Sequence, residues 1–290
     1  MNVIRAGVLG FCMGVRRAID LANTEADRAQ ESGGRVYTLG PLIHNPEVLA
    51  RLKNKGVLEL VQPSQNLTGS SVIIRAHGVS PRIEKDLSGR GGRIVDATCP
   101  RVKASQLRAQ ALVRAGYRLF LAGEARHAEI AGILGYAADG FCEVVESAGE
   151  AEAEAAKLYE REKDAKTALL GQTTISEEEY RAIGEAVQKY FPALEIVQTI
   201  CAATKERREA LRELLEQVDA VIIAGGKESA NTRRLLAIAQ EWGKPCVLAE
   251  NAAGIPPEFY GFQTIGLCAG ASTPDTVIEE IEQKLNLFQN

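Results

Sequence analysis

The chain reads as an α/β protein made of three small related domains with parallel sheets around a shared cavity. Three observations predict this. Apolar strand-like runs alternate with helix-like runs along the whole sequence, one strand-to-helix unit occurs three times with a cysteine at its junction, and polar residues recur just past the strand ends. The repeated unit is AGVLGFCMGVRRAIDLA around Cys12, RIVDATCPRVKASQLRA around Cys99 and EIVQTICAATKERREAL around Cys201. The cysteine intervals are 87 and 102 residues, each the size of a small α/β domain. Domains are therefore expected at 1–97, 98–198 and 199–290.

The elements follow from the patterning. Strands are expected near 35–39, 71–75, 93–97, 117–122, 141–145, 167–171, 194–199, 219–224, 245–249 and 263–268, with helices between most of them. The helical part of each cysteine unit carries an apolar stripe at spacings near i, i+3 or i+4 and i+7. The stripes are Val15, Ala18, Ile19 and Ala22 in the first, Ala104, Leu107 and Ala111 in the second, and Leu211, Leu214, Leu215 and Val218 in the third. The charged, Ala-rich stretch ESAGEAEAEAAKLYEREKDAK accounts for the longer second third and reads as a solvated surface helix with i, i+4 charge pairs. Gln62 to Ser70 and Asn251 to Pro257 are rich in turn formers but too short to separate independent domains.

Composition narrows the function classes. With 290 residues and 46% hydrophobic content the chain can bury a substantial core. A formal charge of −4 argues against a general nucleic-acid binder and leaves room for a local basic pocket that takes an anionic small molecule. The start, MNVIRAGVLGFCMG, has no long apolar core with a cleavage site, and no apolar run approaches about 18 residues. Neither a signal peptide nor a membrane span is expected, and the cytoplasm is the expected compartment. Six cysteines in such a chain argue against a disulfide framework and for metal, redox or buried thiols.

Position separates the cysteines into two groups. Cys12, Cys99 and Cys201 precede helix N-termini, where the dipole and free amides favour a thiolate. Three such thiols converging on one point bind a soft metal centre and leave one coordination position for a substrate. Cys142, Cys246 and Cys268 lie within apolar strands (FCEVV, PCVLA, TIGLCAG) and are expected in the core. No C-x-x-C pair is present, which weakens zinc-ribbon and thioredoxin readings.

The three histidines, His44, His77 and His127, all fall in loops at expected strand ends. Each alone is equally a loop hydrogen-bonder or a ligand contact; together they suggest a site that binds an anion or moves protons. Glu129 lies two residues from His127, so a buried carboxylate–imidazole pair for proton transfer competes with a solvated helix start carrying Glu in its first turn. Thr173 in GQTTISEEE competes with a helix N-cap reading of the Ser/Thr-x-x-Glu type. AGGKESANTRR, with Ser229 and Asn231, supplies glycines and polar donors ahead of a helix, as a phosphate cradle needs, without being a Walker A loop. Ser272 follows the last strand, and Asp275 is expected to open the final helix.

HNP after GPLI, RAHGVS, DATCP, GQTT, TICAAT, the Ser-Ala-Asn loop, GAS-TPD and the opening GFCMGV occur in order from about residue 9 to 278. In these motifs the chain resembles the 4-hydroxy-3-methylbut-2-enyl diphosphate reductase (IspH or LytB) family. The resemblance implies three α/β domains in a trefoil about a 4Fe-4S cluster held by Cys12, Cys99 and Cys201. It implies a two-electron reductive dehydroxylation to isopentenyl and dimethylallyl diphosphates, the last step of the methylerythritol phosphate route. An external electron donor such as ferredoxin or flavodoxin is implied with it. His44, His77, Ser229, Ala230, Asn231 and Ser272 would then lie at the diphosphate, His127 and Thr173 would line the same cavity, and Glu129 would deliver protons. Two departures stand out: Ala128 replaces the proline of the family's His-Pro-Glu, which could loosen that loop, and Ala230 replaces one of its paired serines. Bound to the residues alone, a three-cysteine zinc hydrolase of a diphosphate ester and a non-catalytic iron-sulfur redox sensor are the competing readings.

Overall fold

The structure, a computed structural model, describes residues 1–60 and 66–288. Its elements run β1 (Asn2–Arg5), α1 (Met13–Ser32), β2 (Arg35–Thr38), α2 (Pro46–Asn54), β3 (Val57–Glu59), β4 (Ser70–Ile74), α3 (Pro81–Gly89), β5 (Arg93–Asp96) and α4 (Pro100–Arg114). There follow β6 (Arg118–Ala122), α5 (Ala128–Tyr136), β7 (Cys142–Val145), α6 (Ala148–Arg161), β8 (Thr167–Gly171), α7 (Glu177–Gln188) and β9 (Glu195–Ile196). The last part holds α8 (Ala202–Leu215), β10 (Ala220–Ala224), α9 (Ala230–Glu241), β11 (Cys246–Ala249), β12 (Thr264–Ala269) and α10 (Asp275–Asn286).

The strands form three four-stranded sheets, ordered β3-β2-β4-β5, β7-β6-β8-β9 and β11-β10-β12-β1. Counted along the chain, with β1 taken as the last strand of its sheet, each sheet has the same order: second, first, third, fourth. Pairings β2–β4 and β4–β5, all those of the second sheet and all those of the third are parallel. Parallel sheets need cover on both faces, and the strands supply it by alternation. Phe120 and Ala122 pack with Leu169, Leu158 and Ile183 on one face of the second sheet, while Leu119 and Leu121 pack with Ala168, Leu170, Leu112 and Ile133 on the other. The third sheet divides Ile222 from Val221 and Ile223 in the same way.

Two compact units result: Met1–Asn23 with Pro41–Val57 and Ala202–Asn290, and Thr24–Gly40 with Leu58–Cys201. The expected first domain, 1–97, is divided between these two units. Residues 2–5 belong to the sheet of the last third, pairing from Asn2–Thr264 to Arg5–Leu267. The short run NVIR has no hydrophobic period that announces a strand; β12 offers it an open edge, and backbone N–H and C=O groups pair in a ladder whatever side chains they carry. The strand β3 was likewise not expected. The strand expected at 194–199 is reduced to Glu195–Ile196.

Three further expectations change. The stripe in α4 is inverted: Ala104, Leu107 and Ala111 are exposed, while Val102, Ser105, Gln106, Ala109, Leu112 and Val113 are buried. Helix α6 has the expected charged surface, but its pairs include Lys157–Glu154 at i, i+3, and its Ala151, Ala155 and Leu158 are core residues. Cys142 and Cys246 open edge strands and are only partly buried, whereas Cys268 is fully enclosed. Of the turn-rich stretch 62–70, residues 62–65 lie outside the described residues. The stretch 251–257 contains the 3-10 turn Ala252–Gly254 and leads into a second, Pro257–Gly261.

Candidate active site

Each of Cys12, Cys99 and Cys201 immediately precedes a helix, α1, α4 and α8, and each follows the fourth strand of its sheet. The equivalence extends to the backbone. Cys12 N–H donates to Ala271 O (3.0 Å), Cys99 N–H to Ala76 O and Cys201 N–H to Thr173 O (both 2.9 Å). Ala271, Ala76 and Thr173 each lie two residues past the third strand of their sheet. The cysteines do not sit directly at the strand ends: residues 6–11 separate Cys12 from β1, 97–98 separate Cys99 from β5 and 197–200 separate Cys201 from β9. All three are free thiols of intermediate exposure. Val15 N–H donates to Cys12 Sγ at 3.5 Å.

A second equivalence concerns the helix after each first strand. Asn45, His127 and Ser229 are the N-caps of α2, α5 and α9, accepting from Val48, Glu129 and Thr232 N–H respectively. The next two residues are Pro46-Glu47, Ala128-Glu129 and Ala230-Asn231. Ala128 therefore occupies the first position inside α5, where proline and alanine are both accommodated, and the His127 cap is intact. His127 has φ −73° and ψ 139°, the extended conformation that a residue before proline adopts. Ala128→Pro should accordingly stabilise the protein by about 0.5–1 kcal/mol by restricting the unfolded chain. A higher urea midpoint at unchanged m-value is the expected reading; a lower midpoint would contradict the helix start at Ala128.

Within the unit that holds α5, Glu129 is 1% exposed, which removes the solvated reading. It accepts from Thr173 N–H (2.7 Å) and from Thr173 Oγ1 (2.9 Å). Thr173 is not the helix cap: Ser176 is, in a capping box with Glu179 at the start of α7. Because Thr173 O also accepts from Cys201 N–H, one residue joins the carboxylate to the cysteine loop. His127 Nδ1 accepts from Glu129 N–H at 3.2 Å, so the neutral imidazole carries its proton on Nε2. The rings of His127 and His77 meet edge to face, with centroids 5.2 Å apart. Gln172 is missed by residue-level reasoning although it sits in the GQTT motif. Fully buried, it accepts from Glu124 N–H (3.0 Å) and donates to Thr174 Oγ1 (2.8 Å), tying the loop after β6 to that after β8.

The other unit collects Cys12, His44, Ser229, Asn231 and Ser272. Ser272 Oγ donates to His44 O at 3.3 Å. A Cβ on Gly226 would stand 2.4 Å from that same carbonyl, so only glycine lets the loop after β10 come so close to His44. Ser229, Ala230, Asn231 and Ser272 are all buried. Asn231 Nδ2 has no hydrogen-bond partner, an unsatisfied donor of the sort that a bound anion satisfies. Arg207 on α8, 3% exposed, donates to Gly10 O (2.6 Å) and to Ala203 O (2.8 Å) and so anchors the loop that carries Cys12. Nothing local in KERREAL marks it for that role.

The remaining thiols differ in chemistry. Burial pushes Cys142, beside the Glu143 carboxylate, and Cys268 up to about 12 from an ordinary 9.0, and raises Cys246 as well. Such groups remain thiols at neutral pH and are poor metal ligands. Their effect on stability is present in full below pH 9, where both states are protonated, and is lost as pH rises toward 12, because the unfolded chain ionises first. Urea unfolding from about pH 8 to 11 should show a shallower alkaline loss for Cys142→Ala than for the parent chain. Identical slopes would contradict this assignment.

The model of the family described as LytB protein matches residues 3–286. The 4-hydroxy-3-methylbut-2-enyl diphosphate reductase of Treponema denticola is 43% identical over 98% of this chain and 99% of its own length. That of Aquifex aeolicus is 40% identical, covering 98% of this chain and 96% of its own. Among solved structures, that of an (E)-4-hydroxy-3-methyl-but-2-enyl diphosphate reductase, the terminal enzyme of the non-mevalonate pathway, is 39% identical. It covers 99% of both chains with a TM-score of 0.73. The E-1-hydroxy-2-methyl-but-2-enyl-4-diphosphate reductase from Plasmodium falciparum is 25% identical and covers 100% of this chain and 88% of its own, with a TM-score of 0.89. Matched along nearly its whole length, the chain belongs to the LytB protein family.

Proposed function

We infer that this chain is a 4-hydroxy-3-methylbut-2-enyl diphosphate reductase, forming isopentenyl and dimethylallyl diphosphates at the end of the non-mevalonate pathway. The full-length likeness to enzymes of that name carries the assignment. The balance is R–OH + 2 e⁻ + 2 H⁺ → R–H + H₂O, so the site must supply electrons, protons and a hold on the diphosphate.

The chemistry of the donor set fits an iron-sulfur cluster: three free cysteines at equivalent backbone positions before helix N-termini, one fewer than a cubane has irons. Cys12, Cys99 and Cys201 are the proposed ligands of a 4Fe-4S cluster, which when bound would supply Lewis acidity and the path for electrons. Glu129 is the proposed proton donor, held in place by both donors of Thr173. His127, with its proton on Nε2, and His77 would present further donors to the substrate oxygens. His44, Ser229, Asn231 and Ser272 are proposed to hold the diphosphate, with Ala230 beside them. The electrons would come from an external carrier, since the sequence has no flavin or nicotinamide fingerprint.

The test is anaerobic reconstitution with iron and sulfide, then reduction of the diphosphate substrate by dithionite and methyl viologen, with both products identified. No dehydroxylation by a loaded protein would defeat the reading. Asn231→Ala removes the unsatisfied amide and should weaken diphosphate binding up to about tenfold, while Ala230→Ser should strengthen it by a similar or smaller factor. Titrations against the diphosphate and its dephosphorylated alcohol check this: equal affinities for both ligands, unmoved by either variant, would place the phosphates elsewhere.

A further inference from the structure

Helix α4 begins directly after Cys99 and turns an apolar stripe outward. Leu107 is 51% exposed, and Ala104 and Ala111 are exposed on the same face, one turn to either side. The helix carries Arg101, Lys103, Arg108 and Arg114 and no acidic residue, within a chain whose formal charge is −4. Lys103 is neutralised by Asp96 (3.2 Å) and Glu84 (3.4 Å), and Arg108 by Glu195. Arg101 and Arg114 are exposed and make no ion pair among the described residues. The face therefore reads arginine, alanine, leucine, alanine, arginine, an uncovered apolar strip with an unneutralised cation at each end.

We propose that this face of α4 is the docking surface for an acidic one-electron carrier protein. The proposal rests on the reductase reading, which requires two electrons per turnover from outside the chain. Leu107 lies eight residues beyond Cys99, about 12 Å along the helix axis. Electron transfer falls steeply with distance, so a carrier must seat near the cluster ligands, and this helix starts at one. Charge complementarity selects the occupant: two free guanidiniums steer a negatively charged partner, and the apolar strip between them gives a small contact. Transient electron-transfer encounters bury under about 1,200 Å², which a single helix face can provide. Each encounter delivers one electron; two oxidised carriers, one dehydroxylated product and one water leave per turnover.

The experiment compares cluster-loaded wild type with Arg101→Glu/Arg114→Glu and with Leu107→Asp, all at exposed positions. A reduced acidic 2Fe-2S ferredoxin is the probe, in a binding titration and as sole reductant in turnover; dithionite with methyl viologen is the control reductant. Arg181→Glu, at an exposed position on α7, is the control for charge. The double variant should raise the ferredoxin Kd and KM about tenfold or more and flatten their salt dependence, with viologen-driven turnover unchanged. Leu107→Asp should weaken binding without abolishing the salt dependence. Ferredoxin affinity unmoved by either variant, or lowered equally by Arg181→Glu, would overturn the proposal. So would a wild-type dimer that Leu107→Asp dissociates while ferredoxin binding stays the same. Failure of viologen-driven turnover in the wild type would count against the reductase reading instead, and the binding titration judges the surface in either case.

Discussion

Glu129→Gln should leave the fold, the cluster and substrate binding in place and lower turnover by about 10²–10⁴-fold, the usual worth of a positioned general acid. The geometry makes this substitution unusually clean. Glu129 accepts from Thr173 through both carboxylate oxygens, one facing the backbone N–H and the other the hydroxyl. A glutamine can turn its Oε1 to the N–H and its Nε2 to the hydroxyl, which rotates from donor to acceptor. Both contacts survive, and only the transferable proton is gone. Glu129→Ala, in contrast, leaves two buried donors unpaired and should also cost about 1–3 kcal/mol of stability. Steady-state turnover, the visible spectrum and a substrate titration on the same glutamine preparation decide the matter. Wild-type turnover would move the proton source to another residue.

Replacing Cys12, Cys99 or Cys201 by serine should each bleach the protein and reduce bound iron and sulfide to near zero after anaerobic reconstitution. Serine keeps the size and the backbone hydrogen bond to Ala271, Ala76 or Thr173 but offers a hydroxyl that does not ionise as a thiol does. Alanine at Cys142, Cys246 or Cys268 should leave iron content unchanged, because these thiols are held protonated by burial. Alanine is the better probe at Cys268, where a serine hydroxyl would enter a fully enclosed position. Iron lost from the second group alone, or a colourless zinc protein, would sink the cluster assignment. The equivalence of the three backbone positions makes a further demand: the three serine variants should behave alike.

Much of the site was legible because its signals are local. A cysteine before a helix, a histidine or serine at an N-cap and a polar residue two or three places beyond a buried strand are all read within a window of about ten residues. Cys99, His127 and Ser229 are where the pattern put them, each at a helix cap. Gln172 lay inside a motif already singled out; one of its hydrogen bonds is to Thr174 in its own loop and the other comes from Glu124 in the loop after β6. Arg207 had no such signal, since its acceptor Gly10 is 197 residues away.

By itself the sequence determined the alternation of strands and helices, the threefold cysteine unit and the family, because periodicity, turn chemistry and motif order are properties of neighbouring residues. Tertiary structure decided what depends on distant partners. Helix α4 has apolar residues on two faces, Ala104-Leu107-Ala111 and Val102-Ala109-Leu112, and only its packing on β6, β8 and α5 chose the second for the core. Strand β1 was assigned to the last sheet by the free edge of β12, some 260 residues along the chain, through backbone groups that carry no side-chain pattern. Glu129 became a buried, doubly bonded carboxylate only through Thr173, 44 residues later. Hydrogen bonds and packing across such separations are set by which surfaces meet, and no local run of residues records that choice.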